Sequence, residues 1–411
     1  MKGWLMILLT TQLAVGRVDL WDMPPLSYSD TPATDALATI AGKLERGEMK
    51  LEGGTALEKL AFVLRELKVP ESSQILVFSK TSKQIGKITP RNPRSLYFSE
   101  NTYVGYVPGG EIEVIAQDPV LGPVFYLIDL TDETGFEVMR DTSDCLSCHG
   151  TTRTENVPGL LIRSVFPDES GHTLLHLGTT TVTHSTPIEE RWGGYFVTGE
   201  SALPHLGNRV YTDEDSTMPM DQAFGDLSAV IDTRKYLRGT SDVVALVVIE
   251  HQCKMHNLMT AASMRYRRAY FLSRVIDPES NPDEGQAGRI ADRMSESIVD
   301  ELLFKDEADL GDGLEGDASF QRHFESAYPR SKSGDSLADF KLYRRIFKNR
   351  CSYMVYSEAF RAMPPRVRRA VLERLRSALS GDEEEIAPHL GNSEKERIRE
   401  ILEDTLPEWQ E

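Results

Sequence analysis

Cysteine is scarce in this sequence, with only four in 411 residues. So few cysteines exclude the small secreted scaffolds whose folds depend on several disulfides. Positive charge is also in the minority, because 46 Lys and Arg residues face 64 Asp and Glu residues and leave a net charge of −18. A nucleic-acid partner is therefore not expected, since binding phosphates needs a clustered basic excess. A basic docking partner would suit this acidic chain better.

Long hydrophobic runs are absent too, and the one short run lies at the N-terminus. Lys2 precedes an apolar stretch over residues 3–9 that continues with polar interruptions to Val15, and Ala14-Val15-Gly16 supplies the small residues that a signal peptidase requires. We predict that residues 1–16 are a signal peptide and that the mature chain is periplasmic or otherwise exported. The run is well under the ~18 residues that span a bilayer, so no transmembrane segment is expected after its removal. The alternative is a helix in the core.

The remaining pattern divides the chain into a β-rich N-terminal half and a helical C-terminal half. Apolar residues at helical spacing predict two short helices over residues 31–67. Short runs of β-branched and aromatic residues predict an antiparallel sheet between residues 74 and 128 and more strands over residues 160–197. The sequence thus predicts an α+β fold, with a mixed α+β region over residues 17–220 and a helical region over residues 221–411.

Five segments of the C-terminal half carry specific expectations. Ser241 and Asp242 are placed to form the cap and first turn of a long helix, and residues 290–302 show the spacing of another. The acidic stretch over residues 307–336 is rich in Gly and Ser, which predicts a mobile surface loop. Residues 342–360 and 367–379 are expected to be helical.

The strongest chemical signal is the string Cys145-Leu146-Ser147-Cys148-His149. Two thiols at this spacing reach the two vinyl groups on one edge of a haem, and the adjoining imidazole lies under the iron as an axial ligand. The sequence therefore predicts one covalent haem c, attached through Cys145 and Cys148, with His149 on the iron. The export signal supports this, because haem is attached to c-type apoproteins outside the cytoplasm.

Other uses of the two thiols remain open. A zinc ribbon needs a second pair of ligands at short spacing, whereas Cys253 and Cys351 are singletons, which either bridge each other or stay as small buried hydrophobes. A thioredoxin-like dithiol should open a helix directly after a buried strand, whereas residues 139–144 are a polar lead-in. A disulfide within the motif would be strained. Because the motif occurs once, multihaem electron carriers and two-haem peroxidases are excluded.

The opposite face of the iron has four candidate ligands, namely His184, His205, His251 and Met255. We place His251 there, because it is the only ionisable group on an apolar stripe of the predicted long helix. A buried imidazole without a partner costs about 1–3 kcal/mol, and iron would supply that partner. The alternative is a core histidine that is satisfied by the protein.

A second segment, Arg191-Trp192-Gly193-Gly194, offers further contacts to a haem. Arg191 could pair with a propionate, Trp192 could cover the macrocycle, and the two glycines permit a close approach of the backbone. A β-turn with a packed Trp is the alternative.

With these segments, the sequence resembles a group of uncharacterised exported bacterial proteins described as cytochrome c domain-containing. The resemblance runs over most of the mature chain. It is carried by residues 94–98, 104–107, 144–149, 191–195, 249–252 and 350–353. It implies a single covalent haem with His149 as a ligand, but no particular reaction. The β structure before the motif departs from small all-α electron carriers, so the familiar cytochrome c fold is not expected.

We therefore expect electron transfer with a redox partner protein, through a haem that lies between the β-rich and helical halves. The runner-up is a peroxidase-like haem enzyme or a haem-based gas or redox sensor whose iron keeps an open position. A third class is a binding module that the haem merely organises.

We predict that the signal peptide is cut after Gly16, which leaves Arg17 as the first residue. Intact-mass measurement or N-terminal sequencing of protein recovered from the periplasm decides this. Recovery of a chain that retains residues 1–15 would instead mean an anchor or a core helix.

Overall fold

A seven-stranded antiparallel sheet organises the N-terminal half of the chain. Its order is β6-β5-β4-β3-β2-β1-β9, so six strands follow one another as a meander and a later strand adds beside the first. The strands are β1 (Ile75–Val77), β2 (Arg94–Phe98), β3 (Thr102–Tyr106), β4 (Ile112–Asp118), β5 (Gly122–Ile128), β6 (Val138–Asp141) and β9 (Tyr195–Phe196). Strands β3 and β5 bury side chains on both faces, which explains why their sequences are nearly continuous apolar runs and do not alternate with polar residues.

This computed structural model describes residues 19–50, 52–130, 137–212, 218–219, 225–380 and 386–410. The predicted signal peptide lies outside the described residues. Four two-stranded ribbons accompany the main sheet. They use β7 (Arg163–Val165) with β8 (Thr179–Thr181), β10 (Glu200–Ser201) with β13 (Leu314–Glu315), β11 (Arg209–Val210) with β12 (Met218–Pro219), and β14 (Phe340–Tyr343) with β15 (Arg345–Phe347).

Nine α-helices occur in the described part of the chain, and six of them follow the sheet. They are α1 (Ala36–Glu45), α2 (Ala56–Glu66), α3 (Leu146–His149), α4 (Val243–Ile276), α5 (Gln286–Leu302), α6 (Ala318–Ser326), α7 (Glu358–Arg361), α8 (Pro365–Ser380) and α9 (Asn392–Thr405). No helix among the described residues combines the length and the apolar character that crossing a membrane requires.

Helix α4 is the central element of the C-terminal half. Its first turn is capped by Asp242, whose carboxylate accepts a hydrogen bond from the Ala245 amide at 2.9 Å. Ser241 Oγ donates to the Phe196 carbonyl at 2.6 Å and accepts from the Leu76 amide at 2.8 Å, so the start of the helix is joined to β9 and β1. Nearly every residue of α4 up to position 264 is buried, which makes it a core helix rather than an amphipathic surface helix.

The two halves share one core. Buried apolar side chains from the sheet, from α4 and from α5, α8 and α9 belong to a single contiguous cluster. The α+β prediction is confirmed, with the antiparallel sheet in the N-terminal half and most of the helical residues in the C-terminal half. The predicted helices at α1, α2, α4, α5 and α8 are also confirmed.

Three local predictions are wrong. Residues 307–336 are not a loop throughout, because α6 lies within them and buries Phe320 and Phe324, whose helical spacing the acidic and glycine residues around them obscured. Residues 342–360 form the end of a β-hairpin, a short 3-10 turn and the four-residue α7 instead of one helix. Residues 160–197 contain fewer strand residues than expected, because Leu175–Leu177 form a 3-10 turn.

Candidate functional site

The Cys-x-x-Cys-His motif lies on a short helical turn just after the edge strand β6. Cys145 precedes α3, and the carboxylate of Asp141 accepts a hydrogen bond from the Cys145 amide at 3.2 Å. Lys83 Nζ bridges Asp141 at 3.1 Å and Asp144 at 2.9 Å, which fixes the polar lead-in to the sheet. Cys148 is exposed and Cys145 is half-buried, so both thiols can be approached from outside the core.

His149 is tied to Gly159 by two hydrogen bonds. The Gly159 amide donates to the His149 carbonyl at 2.8 Å, and His149 Nδ1 lies 2.8 Å from the Gly159 carbonyl. Because a carbonyl only accepts, Nδ1 carries the proton and Nε2 keeps its lone pair. Burial lowers the pKa of His149, which favours this neutral form. A backbone carbonyl that fixes one ring nitrogen while the other is left to bind a metal is the usual arrangement of a ligating histidine.

Asn257 of α4 holds this arrangement against the core. Its side-chain oxygen accepts from the Leu160 amide at 2.7 Å, and its amide nitrogen donates to the Leu160 carbonyl at 2.7 Å. Asn257 is buried, and a Cβ on Gly159 would lie 2.5 Å from its oxygen, so the backbone can come this close only with glycine at position 159. The position of His149 therefore depends on α4 through Leu160 and Gly159.

The four cysteines are all free. Cys253 and Cys351 are buried, which matches the alternative of small hydrophobes and not the bridge. Burial raises the pKa of Cys145 to about 12, with a further contribution from Asp141, which is the opposite of what a redox-active dithiol needs.

A zinc site at the motif also lacks support. Among the described residues, one group of His, Cys, Asp and Glu brings three or more ligand atoms within 4.8 Å of one another, and it does not include Cys145, Cys148 or His149. Ligands that do not converge are unsuited to a single ion. The same separation does not argue against a haem, because the vinyl carbons and the iron are separate points on the macrocycle.

Arg191 and Trp192 lie together in the core, where both bind Glu250 of α4. Arg191 Nη1 donates to Glu250 Oε2 at 2.7 Å, and Trp192 Nε1 donates to Glu250 Oε1 at 2.8 Å. Burial raises the pKa of Glu250 to about 7, and the Arg191 guanidinium counteracts this rise. Since their polar groups already have partners, the predicted contacts of Arg191 and Trp192 with a haem gain no support here and stay a prediction.

His184 and His251 meet at a buried cluster with Glu301 of α5. The two Nδ1 atoms are 3.2 Å apart, and Glu301 Oε1 lies 2.9 Å from the Nδ1 of His184 and 3.6 Å from that of His251. Burial lowers the pKa of His251 to about 4. Burial also acts to lower the pKa of His184, but the Glu301 carboxylate outweighs burial, so the pKa of His184 is raised. Both imidazoles in turn hold the pKa of Glu301 well below its usual range.

The second nitrogens of these histidines are also engaged. His184 Nε2 is 3.0 Å from the Lys305 carbonyl, and His251 Nε2 is 2.7 Å from Ser352 Oγ. None of the contacts in the described part of the chain joins either histidine to His149. These contacts do not test the prediction that His251 binds a haem iron and give it no support, because Nε2 of His251 faces Ser352 and Nδ1 faces His184 and Glu301.

The two remaining candidates lie elsewhere. His205 packs edge-on against Trp192 with ring centroids 4.9 Å apart, its Nδ1 accepts from the Gly207 amide at 3.1 Å, and burial lowers its pKa to about 4. Met255 is fully buried in α4. Sequence reasoning missed Glu250, Asn257 and Glu301. A signal for the first two was present, since both are polar residues in the part of α4 that is rich in apolar residues, whereas Glu301 looks like a surface residue of α5.

Comparison of this chain with models of protein families, with curated proteins and with solved structures finds no match.

We predict that Asn257→Ala destabilises the protein by about 2–4 kcal/mol, because it leaves the buried amide and carbonyl of Leu160 without partners. Urea unfolding followed by far-ultraviolet circular dichroism measures this. Asn281→Ala is the matched control, since Asn281 also makes two side-chain hydrogen bonds, but at an exposed position, and should cost no more than about 1 kcal/mol. Equal losses in the two variants would contradict the role given to Asn257.

Proposed function

We propose that this chain is an exported c-type cytochrome-like protein that carries one covalent haem and transfers electrons through it. Cys145 and Cys148 would hold the haem, and His149 Nε2 would bind the iron. The observation that supports this most directly is the hydrogen bond from His149 Nδ1 to the Gly159 carbonyl, which orients the imidazole and leaves Nε2 with its lone pair. When bound, the haem supplies a one-electron couple between ferric and ferrous iron.

Attachment requires only what the two cysteines provide. Each thiol adds across one vinyl group, so that a carbon–sulfur bond forms and the hydrogen passes to the neighbouring carbon. No electrons are gained or lost in this addition, and no oxidant is needed. The free state of both thiols and the exposure of Cys148 suit this chemistry.

Two arginines near the motif are further candidates to pair with haem propionates. Arg163 is half-buried, and its pKa is lowered by burial and by the nearby charge of Arg153, while Cys148 lies close enough to act in the opposite direction. Two cations close together near the attachment cysteine would favour anionic carboxylates. We therefore assign Arg153 and Arg163 to the propionates within this proposal.

A haem enzyme or sensor is the second candidate. It is favoured by the engagement of both ring nitrogens of His184 and of His251, which leaves the iron without either of its two leading sixth ligands. An open sixth position would admit peroxide or a diatomic gas.

We predict that the haem is covalent. After denaturation and extraction with acidified acetone, the colour should stay with the polypeptide, whereas the double variant Cys145→Ala and Cys148→Ala should release it. The double variant Cys253→Ala and Cys351→Ala is the control, since these buried thiols have no part in attachment, and it should keep the colour. Haem that extracts freely from the wild type would refute the proposal.

We expect His251→Ala to leave the absorption spectrum of the haem unchanged, because both nitrogens of His251 face protein groups. His149→Ala should alter the spectrum and serves as the positive control. Conversion of a low-spin to a high-spin spectrum by His251→Ala would restore His251 as the sixth ligand. Binding of carbon monoxide to the ferrous wild type separates the candidate functions, since an electron carrier with two protein ligands should resist it.

A further inference from the structure

We propose that His184, His251 and Glu301 form a second, non-haem site that binds a divalent transition-metal ion. The three residues come from different elements: His184 from the loop after β8, His251 from α4 and Glu301 from the last turn of α5. This site is independent of the proposed haem, because its ligands are not shared with Cys145, Cys148 or His149.

The three donor atoms have the spacing of ligands around one ion. Their separations are 2.9, 3.2 and 3.6 Å. Zn²⁺ lies about 2.1 Å from nitrogen and oxygen ligands. The circle through the three atoms has a radius of about 1.9 Å, which is less than that length, so a point about 2.1 Å from all three atoms exists just outside their plane.

The hydrogen bonds around the cluster direct lone pairs inward. The Lys305 carbonyl can only accept, so His184 Nε2 carries a proton, and the Nδ1 of a neutral His184 then has a lone pair. Ser352 Oγ can accept the Nε2 proton of His251 in the same way. These outer contacts are the kind that orient histidines bound to a metal.

A proton alone does not satisfy the cluster. One proton shared by the two Nδ1 atoms satisfies both imidazoles, but it leaves Glu301 Oε1 without a well-directed hydrogen bond. Glu301 Oε1 is buried, and its 2.9 Å contact with the Nδ1 of His184 does not have the geometry of an ordinary hydrogen bond. A buried carboxylate oxygen without a well-directed hydrogen bond is costly. A cation bound by all three atoms leaves no buried lone pair unused.

The surrounding residues hold the ligands in place. The His184 carbonyl accepts from Arg191 Nη2 at 2.8 Å and from the Ala308 amide at 3.0 Å. Phe304 stacks on His251 with ring centroids 4.2 Å apart and also contacts the ring of His184. Arg191, whose charge is already paired with Glu250, is thus a positioning residue for His184.

The ligand set indicates the class of ion. Imidazole nitrogens select zinc, iron, copper or nickel over Mg²⁺ and Ca²⁺, which prefer oxygen alone. A haem iron is excluded at this point, because its four pyrrole nitrogens leave room for at most two protein ligands, whereas three converge here. Two histidines and one carboxylate suit Zn²⁺ or Fe²⁺.

The test uses the mature full-length chain as isolated, stripped with a chelator and then equilibrated with zinc chloride. Elemental mass spectrometry counts zinc separately from haem iron, so the result does not depend on haem attachment. We expect about one zinc per chain in the wild type. Glu301→Gln should lower the zinc affinity by more than the about 10–100-fold that removal of an outer hydrogen-bond partner costs. Zinc at about 100 times its dissociation constant should raise the melting temperature of the wild type by about 3 °C and leave Glu301→Gln unchanged.

Glu307→Gln is the matched control, because it removes one negative charge from a half-buried acid that lies near His184 but outside the cluster. It should bind zinc as the wild type does. X-ray absorption at the zinc edge of the wild type should show two imidazoles and oxygen at about 2.0–2.2 Å, a result that needs no variant to fold. The proposal would be overturned if the wild type and Glu301→Gln bound zinc equally, or if Glu301→Gln and Glu307→Gln lost zinc equally. A zinc-edge spectrum without imidazole would also overturn it.

Discussion

The structure depends on a helix that is buried almost all round and nevertheless carries polar side chains. Each such group in α4 needs a hydrogen-bond partner, because an unsatisfied buried polar group costs several times what a surface contact contributes. Glu250 binds Arg191 and Trp192, His251 faces His184 and Glu301, and Asn257 binds Leu160. Apart from Glu301, which belongs to α5, these partners come from loops that have little secondary structure of their own, so the helix determines where those loops lie.

Both candidate sites therefore depend on the same scaffold. His251 and Asn257 are about 9 Å apart along α4 at roughly 1.5 Å per residue. The first supplies a donor atom to the buried cluster, and the second fixes the backbone that orients His149. The haem motif sits on an exposed turn at the sheet edge, whereas the histidine cluster lies inside the core, so a haem and a second ion would occupy different environments within one molecule.

Much of the fold could be predicted from the sequence, because the helical and β periods are strong in α4, α5 and the sheet strands. Asp242 marked the start of α4 for the same reason, since a capping side chain is a local signal. The hairpin of β14 and β15 was missed, because short apolar runs fit a helix and a strand equally well. The partners of Arg191 and His251 could not be predicted either, since Glu250 and Glu301 reach them only through tertiary packing.

The Cys-x-x-Cys-His motif is the part of the site that can be recognised from the sequence alone, because its reactive groups lie within five consecutive residues. Covalent attachment of haem is tested most directly by digesting the purified protein with trypsin and measuring the mass of the peptide over residues 141–153, which contains both Cys145 and Cys148. We expect a peptide heavier by the mass of one haem, with neither thiol open to alkylation. A peptide of unmodified mass whose two thiols both react with an alkylating agent would contradict it.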